Sequence, residues 1–127
     1  MAGLTRLLTK TFTAGAAIPA RTIVKFGADD LTVVPAAGAT DLALGVTTEI
    51  DVVAGEPVDV QLTGISEGRA GAAFGRGVKL TSDAIGRLVA AAPAAGANVQ
   101  IVGIAFEAAT GAGDIRPVFL APSVMQG

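Results

Sequence analysis

The sequence contains no cysteine, histidine, tryptophan or tyrosine. Without cysteine there can be no disulfide, thiolate zinc site or cysteine nucleophile, and the redox compartment leaves no trace in the composition. Without histidine the usual general base near neutral pH and the commonest transition-metal ligand are missing together, which removes Ser-His-Asp chemistry and most metallohydrolase schemes. Nine basic and eleven acidic residues give a net charge of −2. They are scattered singly and provide no field to recruit nucleic acid or an anionic membrane. Mean hydropathy is +0.62, yet no run approaches the roughly 18 apolar residues of a spanning helix. Thr9, Lys10 and Thr11 interrupt Leu7-Leu8 before a signal peptide's apolar core can form, so secretion by a cleaved signal is not expected.

The chain contains a near-copy of itself. PAAGA at Pro35 to Ala39 returns at Pro93 to Ala97, and LGVTTE at Leu44 to Glu49 returns as VGIAFE at Val102 to Glu107, both at an offset of 58 residues. The same offset carries Gly55-Glu56 onto Gly113-Asp114, Val60 onto Val118 and Leu62 onto Leu120. Upstream, AGAAI at Ala14 to Ile18 matches AGAAF at Ala70 to Phe74. Residues 14–64 and 70–122 therefore read as two tandem copies of one β unit. A chain of 127 residues is one domain's worth, so the copies are expected to share one core within a single β domain, 14–127, preceded by an N-terminal arm or first strand, 1–13.

Val58, Val60 and Leu62 alternate with Asp59, Gln61 and Thr63, the period of a strand with one wet face. Val24 to Phe26 and Leu31 to Val34 flank Gly-Ala-Asp-Asp, and Val78 to Leu80 and Arg87 to Ala91 flank Thr-Ser-Asp-Ala-Ile-Gly, so each copy holds a hairpin with Asp/Gly turn chemistry. Pro93 and Gly96 limit the Ala-rich run at Leu88 to Ala97 to a short helical turn at most. Gly45 and Gly103, equivalent positions inside strands, mark a bulge or a close backbone approach. The expected fold class is all-β, a small β-sandwich or barrel with pseudo-twofold symmetry.

Aligning the copies also assigns strand faces. Leu44, Val46 and Thr48 map onto Val102, Ile104 and Phe106, which are expected to point into the common core. On the opposite face Ala43 and Gln61 become Ile101 and Phe119, larger and more apolar. We expect Ile101 and Phe119 to be covered, either by another subunit or by the chain's own N-terminal arm or a loop. Ahead of the repeat, Leu4, Arg6, Leu7, Leu8 and Lys10, with Thr5, Thr9 and Thr11, compose a segment suited to adding a strand to a neighbour's edge.

Recognisable catalytic patterns are not found. Gly75, Gly77 and Lys79 miss the GxxxxGK[ST] spacing of a phosphate loop. Asp29-Asp30 falls in a hairpin turn, where Asp bonds the local backbone, and a glycosidase pair such as Glu49 with Asp51 would be expected in an aromatic-lined cleft, for which the chain offers only five phenylalanines. Neither Asp29-Asp30 nor Asp83 matches a calcium loop. Lys79 could form a dyad with Ser66, Ser82 or Ser123, but none of these serines lies on a nucleophile turn. Arg69, Arg76, Lys79 and Arg87 form the only local basic excess and lack interleaved aromatics for base stacking.

The stretch FTAGAAIPARTIVKFGADDLTVVPAAGATDLALGVTTE, followed by AGEPVDVQLTGISE, LTSDAIGRLVAAAPAAGANVQIVGIAFE and GDIRPVFLAP, resembles the head decoration, or capsid cement, proteins of tailed bacteriophages over residues 12–122. The resemblance implies a non-enzymatic virion protein, without metal or cofactor, that binds the outside of the expanded major capsid protein lattice after assembly in the host cytoplasm. It implies homo-oligomers, with trimers the expected form, and no nucleic-acid or membrane partner. Leu4, Arg6, Leu7, Leu8, Lys10, Ile101 and Phe119 are the candidate contacts to capsid or neighbouring subunit. A β-barrel module binding glycans or a host surface is the alternative reading, and the small aromatic complement of five phenylalanines argues against it.

Overall fold

The structure, a computed structural model, describes residues 4–127; the first three residues of the expected arm lie outside that range. The described residues form nine strands and no helix: β1 (Thr5–Ala14), β2 (Ile23–Phe26), β3 (Thr32–Pro35), β4 (Gly45–Thr47), β5 (Pro57–Arg69), β6 (Lys79–Ser82), β7 (Leu88–Ala90), β8 (Asn98–Ala105) and β9 (Ile115–Gln126). A single sheet holds them in the order β1-β3-β2-β4-β5-β9-β8-β6-β7. It closes on itself twice. β1 pairs in parallel with β3 at Thr13 and Ala14 and antiparallel with β5 from Thr5 to Thr13, completing a ring of β1, β3, β2, β4 and β5. Just past β5, Ala70 bridges Leu88 in parallel and completes a second ring of β5, β9, β8, β6 and β7. β5 serves both rings, meeting β4 through Val60 and Gln61 and β9 through Gly64 to Arg69.

The expected hairpins form as β2–β3 and β6–β7, each closed by an Asp-initiated turn. Asp29 Oδ1 accepts the Leu31 N–H at 3.0 Å, and Asp83 Oδ1 accepts the Ile85 N–H at 3.0 Å. Ladder registers in the two halves coincide at the offset seen in the sequence. Val46 faces Gln61 as Ile104 faces Phe119, and Thr47 faces Val60 as Ala105 faces Val118. Gly45 and Gly103 permit close strand approach in both: a side chain at either would collide with the carbonyl of Gln61 or Phe119.

Two apolar clusters form where one shared core was expected. One gathers Phe12, Ala14, Ile18, Val24, Val33, Val52, Val58 and Val60. The other gathers Leu80, Leu88, Phe74, Val102, Val118 and Leu120 with Ile23, Ala36, Ala43 and Val46 from the first half. Each ring closes around its own side chains because strands alternate faces, so Val24 and Val60 fill the first ring while their neighbours Ile23 and Val46 turn outward onto the second.

The assignment of strand faces also needs correction. Phe106, expected inside, is 45% exposed, whereas Ile101, expected on a subunit contact face, is 2% exposed. Along β8 Val99, Ile101 and Ala105 are buried while Ile104 and Phe106 are less so, the phase opposite to the one assigned, with Val102 buried as expected; the register shift between Ile101 and Gly103 leaves its extra residue on β9, where Ile101 pairs with Ser123 and Gly103 with Leu120. Ala43 and Gln61, on the face expected to be open, are buried too, at 4% and 0%.

Candidate functional site

The long strands place a row of side chains across the middle of the sheet, apolar at Ile65, Phe119 and Ile104 and polar at its two ends. Thr5 of β1 pairs with Ile65 of β5, Ile65 with Phe119 of β9, Phe119 with Ile104 of β8, and Ile104 with Lys79 of β6. In-register neighbours project to the same face, so these five side chains form one row across five strands. Phe119 is 42% exposed. Phe106, whose N–H donates to the Pro117 carbonyl at 3.1 Å, brings its ring to 6.3 Å from that of Phe119 with the planes 39° apart. Exposed aromatics in such a row are candidates for burial against a partner.

β1 carries the strip to the sheet edge. Every residue from Leu4 to Thr11 is exposed, and Leu7 is the most exposed large apolar side chain in the described chain, at 73%. The structure thus brings Leu4, Leu7 and Leu8 into the neighbourhood of Phe119 through β5, which lies between them. Ile101 is not with them; it is enclosed within the fold.

The two cations expected as contacts are engaged within the chain. Arg6 Nη2 donates to Glu49 Oε2 at 2.6 Å and its Nε to Gln61 Oε1 at 3.3 Å. Lys10 Nζ lies 5.8 Å from the centroid of the Phe12 ring, within cation–π range. A backbone N–H and then Arg6 hold the Glu49 carboxyl below its ordinary pKa. Ile65, Ile104 and Phe106 escaped the sequence reading. The substitution of Phe106 for Thr48 at equivalent places was a signal for one of them, but the row itself depends on β5–β9 pairing, which no local pattern encodes.

Beneath the junction of the two rings lies a charged cluster. Arg21 Nε is 3.5 Å from Glu67 Oε1, and Arg69 Nη2 donates to Thr22 Oγ1 at 3.3 Å. Glu67 is 8% exposed, and its Oε2, like the Nε atoms of Arg21 and Arg69, has no hydrogen-bond partner among the described residues. Arg69 also lines a cavity of about 380 Å³ between the halves, with Pro19, Pro35, Ala36, Ala84 and Ile85. The basic excess seen in the sequence is therefore partly consumed internally: Arg69 bonds Thr22, and Arg87 Nε donates to Asp83 Oδ2 at 2.7 Å. Among the described residues no three acidic side chains gather where a metal ion could be held.

The described residues form an all-β body with large apolar side chains open to solvent. The family model for phage cement proteins matches residues 5–120, and the chain belongs to that family. It is thereby a capsid-associated phage protein. Its fold is similar to that of the head fiber gp8.5 N base of bacteriophage phi29, with a TM-score of 0.71 over 90% of this chain and 93% of that one at 20% identity. A search of curated proteins finds no match.

Proposed function

We propose that this protein attaches to the exterior of the expanded major capsid protein lattice and cements it, using the strip from Leu7 and Leu8 through Ile65 to Phe119 and Phe106 as its contact surface. The carrying observation is that strip: large apolar side chains from β1, β5, β9 and β8 held partly open to solvent in a member of the cement family. Cementing follows by linkage. A protein that binds the expanded shell and not the unexpanded one stabilises the expanded form by mass action, with no catalysis required. Homo-oligomers, with trimers the expected form, would multiply a modest contact through multivalency on the lattice.

Co-sedimentation with undecorated expanded heads, with unexpanded procapsids as control, tests the proposal. Saturable binding to expanded heads alone supports it. Equal binding to both, or to neither, overturns it.

A further inference from the structure

β1 crosses β5 through two register shifts, one between Arg6 and Leu8 and one between Leu8 and Thr9. Leu7 is the residue left over, and it projects into solvent. Opposite it on β5, Gly64 has φ of 98°, and a side chain there would collide with the Thr5 carbonyl and the Leu7 amide. The kink falls where β5 passes from the first ring to the second. Gln61, 0% exposed, spans it along its own strand, its Nε2 donating to the Thr63 carbonyl at 3.3 Å and the Ile65 carbonyl at 3.0 Å. The remaining acceptor of that amide, Oε1, takes the Arg6 Nε–H, and the same guanidinium reaches Glu49. One side chain thus ties β1, the kink of β5 and the segment after β4.

The second half shows a difference. Phe119 occupies the ladder position of Gln61, and there β5 pairs with β9 in unbroken register from Arg69 to Gly64, the shift on β9 falling on its other side, against β8. The amide stands where β1 shifts register on β5, and the phenyl ring where β5 pairs with β9 without a shift.

We infer that Arg6 is a positioning residue: through Gln61 it fixes the shifted crossing of β1 over β5 and so sets the projection of Leu7 and Leu8. This rests on the reading of that strip as the capsid contact. Arg6 acts through its hydrogen bonds, its guanidinium committed to Gln61 and Glu49 while its side chain stays partly open to solvent, and the apolar side chains beside it make the contact.

The test uses the full chain with Arg6→Met, which keeps the stem and removes the guanidinium, and Arg6→Lys, which supplies a charge without the planar fork that reaches two acceptors. Native-state hydrogen exchange at the amides of Thr5, Leu7 and Leu8 is read beside that at Val60 and Val118, and affinity for undecorated expanded heads is measured by co-sedimentation. For Arg6→Met we expect exchange in β1 to speed about tenfold, Val60 and Val118 to stay unchanged, and affinity to weaken about tenfold, with Arg6→Lys intermediate. Unchanged exchange in β1 overturns the inference, and if affinity falls without it Arg6 is a direct contact. Faster exchange with unchanged affinity also overturns it, because the crossing then has no bearing on attachment. Wild-type protein that fails to bind expanded heads defeats the proposed function itself, a result separate from the exchange data on the crossing.

Discussion

Gln61 and Phe119 hold the same place in two successive ladders, one facing Val46 and the other Ile104. Gln61 is fully buried, while Phe119 is 42% exposed. The polar residue is enclosed because the second ring and β1 cover its face of the sheet. The aromatic one is left open because, among the described residues, none encloses the corresponding face of the second half.

The open face should carry attachment. Phe119→Asp, and separately Leu7→Asp, should each weaken binding to expanded heads at least about thirtyfold, the scale of an interface hot spot, while the melting temperature stays near that of the wild type. Co-sedimentation beside thermal melting checks this. Unchanged binding by both variants would remove the strip from the mechanism.

Ile101 gives the opposite expectation. Being enclosed, Ile101→Ala should destabilise the fold by about 2–4 kcal/mol, and Ile101→Asp should impair folding outright. Urea denaturation separates this from the surface-contact role that the strand pattern suggested, under which Ile101→Ala would leave stability unchanged.

Gly64 should tolerate no side chain. Its positive φ and its contact with the Thr5 carbonyl both oppose a β-carbon, so Gly64→Ala should cost on the order of 2 kcal/mol and speed exchange in β1. Gly111, with open space around its α-carbon and no positive φ, serves as control: Gly111→Ala should be close to neutral.

Glu67, 8% exposed, pairs with Arg21 at the junction of the rings. Glu67→Ala should destabilise by about 3 kcal/mol, since it leaves the Arg21 guanidinium without its carboxylate partner. Chemical denaturation of that variant and of the double variant Glu67→Ala, Arg21→Ala checks the coupling; simple additivity would show that the pair does not act as a unit.

Acid should loosen the turns. Burial raises the pKa of Asp83, but the N–H groups of Arg87 and Ile85 and the Arg87 guanidinium outweigh it and leave a net depression. Asp41 is depressed by the Ala37 N–H and then by Lys25. A carboxyl with a lower pKa in the folded state binds more protons when unfolded. Its stabilisation is therefore complete above the ordinary carboxylate value, about 4, and is lost as pH falls through the depressed folded value. Melting temperature should fall steeply below about pH 4, and less steeply in Asp83→Asn, which starts from a lower plateau; parallel curves would refute this role for Asp83.

The sequence by itself determined the all-β class, both hairpins with their aspartate turns, the close approach at Gly45 and Gly103, and the family resemblance. These depend on alternation, turn chemistry and local backbone freedom, all legible over a few residues. Tertiary structure decided which side chains are available to a partner. Alternation leaves strand phase to pairing, and the phase that β8 takes encloses Ile101 and leaves Phe106 out beside Phe119. The likeness of the halves suggested one core, but a sheet closing twice around a shared β5 makes two. Arg6 and Lys10 look like free cations in sequence, and their partners Gln61, Glu49 and Phe12 reach them only when β1 lies against β5 and the rings close. Such long-range pairings decide what remains on the surface, and no local pattern contains them.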